Sequence, residues 1–407
     1  MTARFEPANI ARFATGCYPS ATSIEKNVLS IARPGKLRTI ACARILLALI
    51  LFAASLSGGA SVAASSATPF ELAPGVIVDP VRGVVYLMNP QRGIDAIAFP
   101  SGKLIWRTAS AAKPLLLFDD RLVAQAEAVA AMRALRVAVL NIAAHGEPVQ
   151  SASLPLAAPA FASIDDGMGI SFTADARVSA GNLEVSWRFT QRTVTGFARP
   201  GPAPVLETNG AARIDLKTGR SQPLPAREAP TQPRMTPLPP SLQKLVDSRA
   251  LPSTPQRAGK FYIATGSADG GKRAVVRRWD GAAGGALADI ELDPGFNFGI
   301  ASADGEMLLA RKPLGADATG WRDYLWAIYS LETREKIAEI RMPTSAAPFF
   351  VWNSMLVIVS RPFGRRINGK WTEEPLELRA FDLKTRGEAW KAPIRDTTYR
   401  GPYPPRP

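Results

Sequence analysis

The chain has 407 residues, 46% hydrophobic and 21% charged, with Gly 32, Pro 35, Cys 2 and His 1. That apolar share excludes wholesale disorder, and the length gives room for one large domain or two ordinary ones. One histidine and two cysteines exclude a structural zinc site or a His-rich metal centre, because each needs several such ligands. The 49 basic residues outnumber the 35 acidic ones by +14.

Residues 1–67 read as an extended signal peptide or leader. An uncharged apolar run at 45–56 follows Lys36, Arg38 and Arg44 and precedes a small-residue stretch at 57–67. A positive segment, a short apolar core and a small-residue cleavage zone together describe a secretory signal. The run is shorter than the roughly 20 residues that span a bilayer, so an uncleaved membrane anchor is the secondary reading. No Arg-Arg pair precedes it, which favours a Sec-type route, and no cysteine follows it to carry a lipid. Cleavage is expected after Ala63, Ala64 or Ala67; a true start near Val28 would account for the long segment ahead of the core. Both Cys17 and Cys42 lie in this leader. The mature chain, periplasmic or secreted, is then thiol-free in an oxidising compartment and must hold its core without disulfides. The leader carries seven basic and two acidic residues, which leaves 42 against 33, a net of +9.

From residue 68 onward short apolar runs alternate with Gly and Asp-Gly punctuation, the pattern of an all-β domain spanning 68–407. A unit of strand, tight polar turn and strand recurs. It is clearest at 96–106 and 380–390, begins again at 213–219, and is weaker at 137–146, 275–284 and 326–336. The expected turn residues are Gly102, Gly146, Gly219, Gly284, Lys336 and Gly387, glycine supplying a positive φ without steric cost. A second strand is expected upstream, at 84–88, 121–124, 261–264, 307–310 and 355–359. The stretch 226–257 breaks this rhythm with seven prolines, which resist central strands. Within it Leu242, Leu245 and Val246 have helical spacing behind Ser241, an expected N-cap, so 226–257 reads as a Pro-rich insertion carrying one short helix. An interdomain linker is the competing account.

The strand, Thr/Ser-Gly turn and following Trp, as in 96–106 and 380–390, resemble the repeat of the quinoprotein-like (PQQ-like repeat) β-propeller family. That resemblance implies six to seven four-stranded blades of roughly 40–50 residues each, with Trp106 and Trp390 packing between neighbouring blades. The long third interval, between Gly219 and Gly284, would house a degenerate seventh blade. A β-sandwich or two-sheet barrel is the alternative arrangement. Quinone-binding members use a vicinal cysteine pair and a calcium site. Neither is found here, so the resemblance is to a non-quinone-binding member with no cofactor and no metal.

Other chemical signatures dissolve into structure. Ser241-Leu-Gln-Lys244 and Lys217-Thr-Gly219 occur in the wrong order for a penicillin-binding enzyme and read as a helix cap and a hairpin turn. His145 reads as a solvated turn residue, and the acid pairs Asp119-Asp120, Asp165-Asp166 and Glu373-Glu374 as turn residues. Residues 315–320 lack the Lys-Ser/Thr of a phosphate loop. Two basic groups remain: Lys272, Arg273, Arg277 and Arg278, and Arg361, Arg365, Arg366 and Lys370, the second flanked by Phe363 and Trp371. In an exported protein they point to an anionic lipid headgroup, cell-wall polymer or acidic envelope protein rather than nucleic acid; solvated loops are the competing account. The expected function is a monomeric, exported, non-catalytic binding or scaffold module of the cell envelope with no transmembrane span in its mature form. The rival is an envelope enzyme, a quinoprotein-like dehydrogenase or a lyase, which requires polar side chains converging in the propeller funnel.

Overall fold

The computed structural model describes residues 68–395 apart from 128–133, 156–167, 194–204, 226–237, 272 and 368. The leader with both cysteines, the Asp165-Asp166 pair and Lys272 therefore lie outside the described residues. The rest is a succession of antiparallel sheets, each built from one stretch of chain in sequence order.

The first sheet has five strands, Phe70–Ala73, Val76–Asp79, Val84–Met88, Ile94–Ala98 and Lys103–Thr108. The next four have four each: Lys113–Phe118, Arg121–Gln125, Ala134–Asn141 and Glu147–Pro155; Met168–Ser179, Asn182–Thr193, Val205–Asp215 and Ser221–Leu224; Gln256–Ala258, Phe261–Ala268, Arg273–Asp280 and Ala286–Glu291; Asn297–Ala301, Met307–Pro313, Tyr324–Ser330 and Lys336–Met342. The sixth comprises Phe349–Trp352, Met355–Ser360, Glu377–Asp382 and Gly387–Pro393, with a hairpin, Phe363–Ile367 paired to Lys370–Glu374, set into its central connection. The interval expected to hold a seventh unit contains, among the described residues, the last strand of the third sheet, the helix Pro240–Asp247 and the first three strands of the fourth sheet. The long strands of the third sheet pair residue for residue from Met168 opposite Thr193 to Ser179 opposite Asn182.

Inner strands such as Val84–Met88 are buried on both faces, whereas the outer strand Lys103–Thr108 is mostly exposed. Both-face burial explains the unbroken apolar runs, because a strand covered on two sides has no polar face to alternate with. Apolar clusters join successive sheets: first to second through Ile77, Tyr86 and Leu122, second to third through Val137 and Val185, fourth to fifth through Ile263 and Leu308, and fifth to sixth through Ile328 and Phe349. A further cluster joins the sixth back to the first through Phe350, Val357, Leu87 and Phe99.

Among the described residues no such cluster joins the third sheet to the fourth. There the helix Pro240–Asp247 seats Leu242 on Tyr262, Ala264 and Trp279 of the fourth sheet. The third sheet's face turned away from the second carries ion pairs, Glu184 between Arg177 and Arg213, and Arg188 with Glu207. The helix departs from expectation in its cap. Pro239 is the N-cap and Pro240 opens the first turn, where a missing N–H costs nothing. Ser241 lies inside the helix and donates to the carbonyl of Gly284 at 3.2 Å. Leu242 is fully buried, while Leu245 stays in solvent.

The turn between the last two strands of each sheet repeats closely. Its positive-φ residue is Gly102, Gly146, Gly219, Gly284, Arg334 or Arg386. The expected Lys336 and Gly387 are displaced by two and one positions, since an arginine accepts the left-handed conformation in the last two sheets. At Gly102, Gly219, Gly284, Arg334 and Arg386 the amide donates to the carbonyl four residues back. Asp215, Asp280 and Asp382 accept from the two backbone N–H groups that follow in the turn, as do Asn141 and Ser330. Such side-chain turns hold the bend without a glycine at every site.

Candidate functional site

Antiparallel order sends the connections of each sheet to two ends. In the four-stranded sheets one end carries the first-to-second and third-to-fourth turns, the former tight, as at 119–120, 180–181, 259–260 and 353–354; in the first sheet, which has an extra leading strand, the same end carries 80–83 and 99–102. The other end carries the longest connections, 126–133, 194–204, 314–323 and 225–255. Neighbouring sheets meet like end to like end. At the tight end Arg82 pairs with both Asp79 and Asp120. At the other, Glu127 of the second sheet's long connection accepts from Arg395, at 2.6 Å, and from the Gly93 amide of the first sheet, at 3.3 Å. Long connections on a rigid frame are where binding groups gather.

Lys113, Glu71 and Asp175 lie on the leading strands of the second, first and third sheets. The strand Lys113–Phe118 runs beside Val76–Asp79 on one side and Met168–Ser179 on the other. Lys113 is buried; burial lowers its pKa, and the charges of Glu71 and Asp175 act against that shift. Glu71 keeps contact with solvent, and the desolvation imposed by neighbouring protein raises its carboxyl pKa, opposed by Lys113 and reinforced by Asp175. Gln125 lies directly opposite Lys113 in the strand register, is 1% exposed, and its Nε2 has no partner. No sequence cue marks this group, because its members are 42 and 62 positions apart and belong to no repeat motif.

The first basic group is largely neutralised. Arg273 is paired with Asp269 and Glu291. Arg278 is buried between the fourth and fifth sheets; its guanidinium donates to the carbonyls of Ala288, at 2.9 Å, and Leu331, and sits 5.5 Å from the Phe261 ring centroid. Burial lowers its pKa, with Arg334 adding to the effect. Arg277 points to the opposite face and is half-buried. Arg278 is thus a structural arginine and not a surface cation, a distinction that strand alternation decides and composition cannot.

The second basic group occupies the hairpin of the sixth sheet. Arg365 pairs with Glu374 at 3.4 Å and lies over Phe363. Phe363 in turn stacks on Trp321 of the fifth sheet's long connection, centroids 5.3 Å apart and planes 18° apart. Arg361, Arg366 and Lys370 are exposed, and among the described residues no carboxylate lies within ion-pair distance of them. Trp371 is 59% exposed. Its six-membered ring lies against Gly364 of the partner strand so closely that a Cβ there would collide with it.

Trp106 falls in the cluster between first and second sheets and Trp390 in that between sixth and first. Each presses on the turn glycine of the next sheet: a Cβ at Gly146 would come 2.7 Å from Trp106, and one at Gly102 2.6 Å from Trp390. In the second sheet the same place, four residues past the turn, is held by Gln150, whose amide donates to Asp215 O at 2.9 Å. His145 is exposed with φ 55° in its turn. Asp120 pairs with Arg82, and Glu374 with Arg365. Among the described residues no group of three or more His, Cys, Asp or Glu is arranged to hold a metal, and no helix is long and apolar enough to cross a membrane.

No family model matches the chain, and no curated protein matches it. Solved structures with some similarity include a dihydro-heme d1 dehydrogenase, NirN, in complex with DHE, at 12% identity over 80% of this chain and 72% of that one, with a TM-score of 0.26. Another is the β-propeller domain of the trilobed protease from Pyrococcus furiosus, at 12% identity over 54% of this chain and 56% of that one, with a TM-score of 0.22.

Proposed function

We propose that the six sheets are the blades of a β-propeller of the quinoprotein-like type, and that the chain is exported and serves as a non-catalytic binding or scaffold module of the cell envelope. The run of apolar clusters from sheet to sheet, with its return from the sixth to the first, supports the ring. The observation that carries the binding reading is the hairpin at the long-connection end, where Arg361, Arg366 and Lys370 stand exposed and uncompensated beside an exposed Trp371. Retaining unpaired cations and a bare indole on a rigid β-hairpin suits an anionic partner better than it suits a solvated loop. The test is sedimentation of the purified protein with isolated cell envelopes at low and high salt. Salt-sensitive binding that falls when Arg361, Arg366 and Lys370 are all changed to Gln supports the reading; salt-independent or absent binding overturns it.

A catalytic reading is favoured by one observation, the group of Lys113, Glu71, Asp175 and Gln125 on neighbouring strands of the first three sheets. Titrating groups that shift one another's pKa values are a common mark of an active site. Lys113→Met separates the two: it leaves envelope binding intact under the scaffold reading and abolishes turnover under the catalytic one.

A further inference from the structure

We propose that the outer face of the Phe363–Glu374 hairpin is a binding platform for an anionic polysaccharide, an inference that rests on the binding-module reading and names its partner class. The hairpin register divides its side chains between two faces. Phe363 and Arg365 share a face with Thr372 and Glu374, and this face packs on Trp321 through the ring stack. Gly364, Arg366, Trp371 and Glu373 share the other face, which is the open one.

On that open face the indole is not a free rotor. Trp371 lies across Gly364, and Gly364 has no positive φ, so the glycine is needed there for space and not for conformation. Trp371 Nε1 reaches Glu373 Oε1 at 3.4 Å, a long contact at the other edge of the ring. The result is an indole plate with its six-membered ring against the Gly364 backbone and more than half of its surface in water. Arg366 is its direct cross-strand neighbour on this face, whereas Lys370, opposite Ile367, falls on the other face at the turn.

A pyranose ring presents a face of C–H groups that matches such a plate, with hydroxyl and acid groups at its edge for Arg and carboxylate hydrogen bonds. Arg366 on this face, Arg361 at the foot of the hairpin and Lys370 at its turn outnumber the one exposed carboxylate beside them, Glu373, and this excess of positive charge favours an acidic chain over a neutral one. A lipid bilayer fits less well. Interfacial anchoring uses an aromatic that projects into the headgroup layer, whereas Trp371 is laid flat on its own strand pair, and Gly369 and Lys370 stand at the turn.

The experiment titrates the purified full chain with polygalacturonate, with dextran, and with phosphatidylglycerol–phosphatidylcholine vesicles, read by affinity electrophoresis for the glycans and by co-sedimentation for the vesicles. The expected result is retardation by polygalacturonate only. Trp371→Ala weakens it by about tenfold or more, the effect of losing a central aromatic anchor. Gly364→Ala keeps every polar group but lifts the indole, and weakens binding severalfold. Arg366→Gln with Lys370→Gln also weakens it and flattens its salt dependence. Unchanged melting curves confirm that each variant folds. Affinity for polygalacturonate that ignores Trp371, or binding to vesicles alone, overturns the proposal. Envelope binding that persists in Trp371→Ala leaves the binding-module reading standing and removes only this one; absence of any envelope binding removes both.

Discussion

Trp390 of the sixth sheet donates its indole N–H to the carbonyl of Phe99 in the first sheet, 2.9 Å away in space and 291 positions away in sequence. The same ring presses on Gly102, whose φ of 69° favours glycine and whose missing Cβ leaves room for the indole. One side chain thus fastens the last sheet to the first through a hydrogen bond, a ring contact and a turn.

Trp390→Ala should cost about 3 kcal/mol, the usual loss for removing a large aromatic from a packed site, and Trp390→Phe about 1–2 kcal/mol for the lost hydrogen bond together with the smaller ring. Gly102→Ala should destabilise by about 1–2 kcal/mol, through strain at positive φ and a clash with the indole. Chemical denaturation measures all three. A harmless Trp390→Ala would mean that the sixth and first sheets are not joined here.

Tyr86 offers the reverse case. Its ring is fully buried against Trp106, but its hydroxyl has no partner and burial raises its pKa. Tyr86→Phe removes an unsatisfied polar atom and little else. It should leave stability unchanged or raise it by about 1 kcal/mol, and a clear loss in calorimetry would reveal a partner for that hydroxyl.

The group around Lys113 predicts a pH dependence. Glu71 has a raised carboxyl pKa in the folded state, so between its ordinary value of 4.5 and the raised value the folded chain holds more protons than the unfolded one. Its contribution is fully present below 4.5 and is lost as pH rises through the folded pKa. Lys113 works in the opposite sense: its lowered pKa gives a contribution present above 10.5 and lost as pH falls through the folded value. Glu71→Gln should flatten the acid-side rise in stability, and Lys113→Met the alkaline one. Denaturation midpoints across pH that match wild type would contradict this grouping.

Leu242 is the single fully buried residue of the helix over the fourth sheet. Leu242→Ala should cost about 2–3 kcal/mol locally and expose 238–251 to protease while the sheets persist. Cooperative loss of the whole fold instead would show that the helix is integral to the fourth sheet.

The proposed export makes a chemical prediction. N-terminal sequencing of the exported protein should begin between Ala64 and Thr68. The melting temperature of that form should not respond to reductant, because Cys17 and Cys42 are gone. An intact Met1 on membrane-bound protein would overturn the leader assignment.

The strands and most turns could be read directly from the chain. The upstream strand expected at 84–88 is found as Val84–Met88, and Gly102, Gly146, Gly219 and Gly284 hold the turns expected of them. Arg334 and Arg386 escaped because an arginine at positive φ has no sequence mark; the capping Ser330 and Asp382 four positions earlier were the only signal. Arg278 could not be distinguished from Arg273, since burial of a cation depends on which face a strand turns to its neighbour. The group around Lys113 was invisible for a different reason: its members meet only through the lateral packing of three sheets, which no local pattern encodes. Gly364 beneath Trp371 was not legible either, because the basic stretch 361–370 reads as a loop and the contact is made across the strands of a hairpin.

Every sheet is drawn from one unbroken stretch of chain, and none borrows a strand from a distant segment. Each can therefore assemble from contacts close in sequence, at low contact order. The contact of the sixth sheet with the first is the long-range one and closes a loop of nearly 300 residues. Its entropic cost grows only with the logarithm of that length. Sheets that form from local contacts need only this one distant docking, and Trp390 is the latch that holds it.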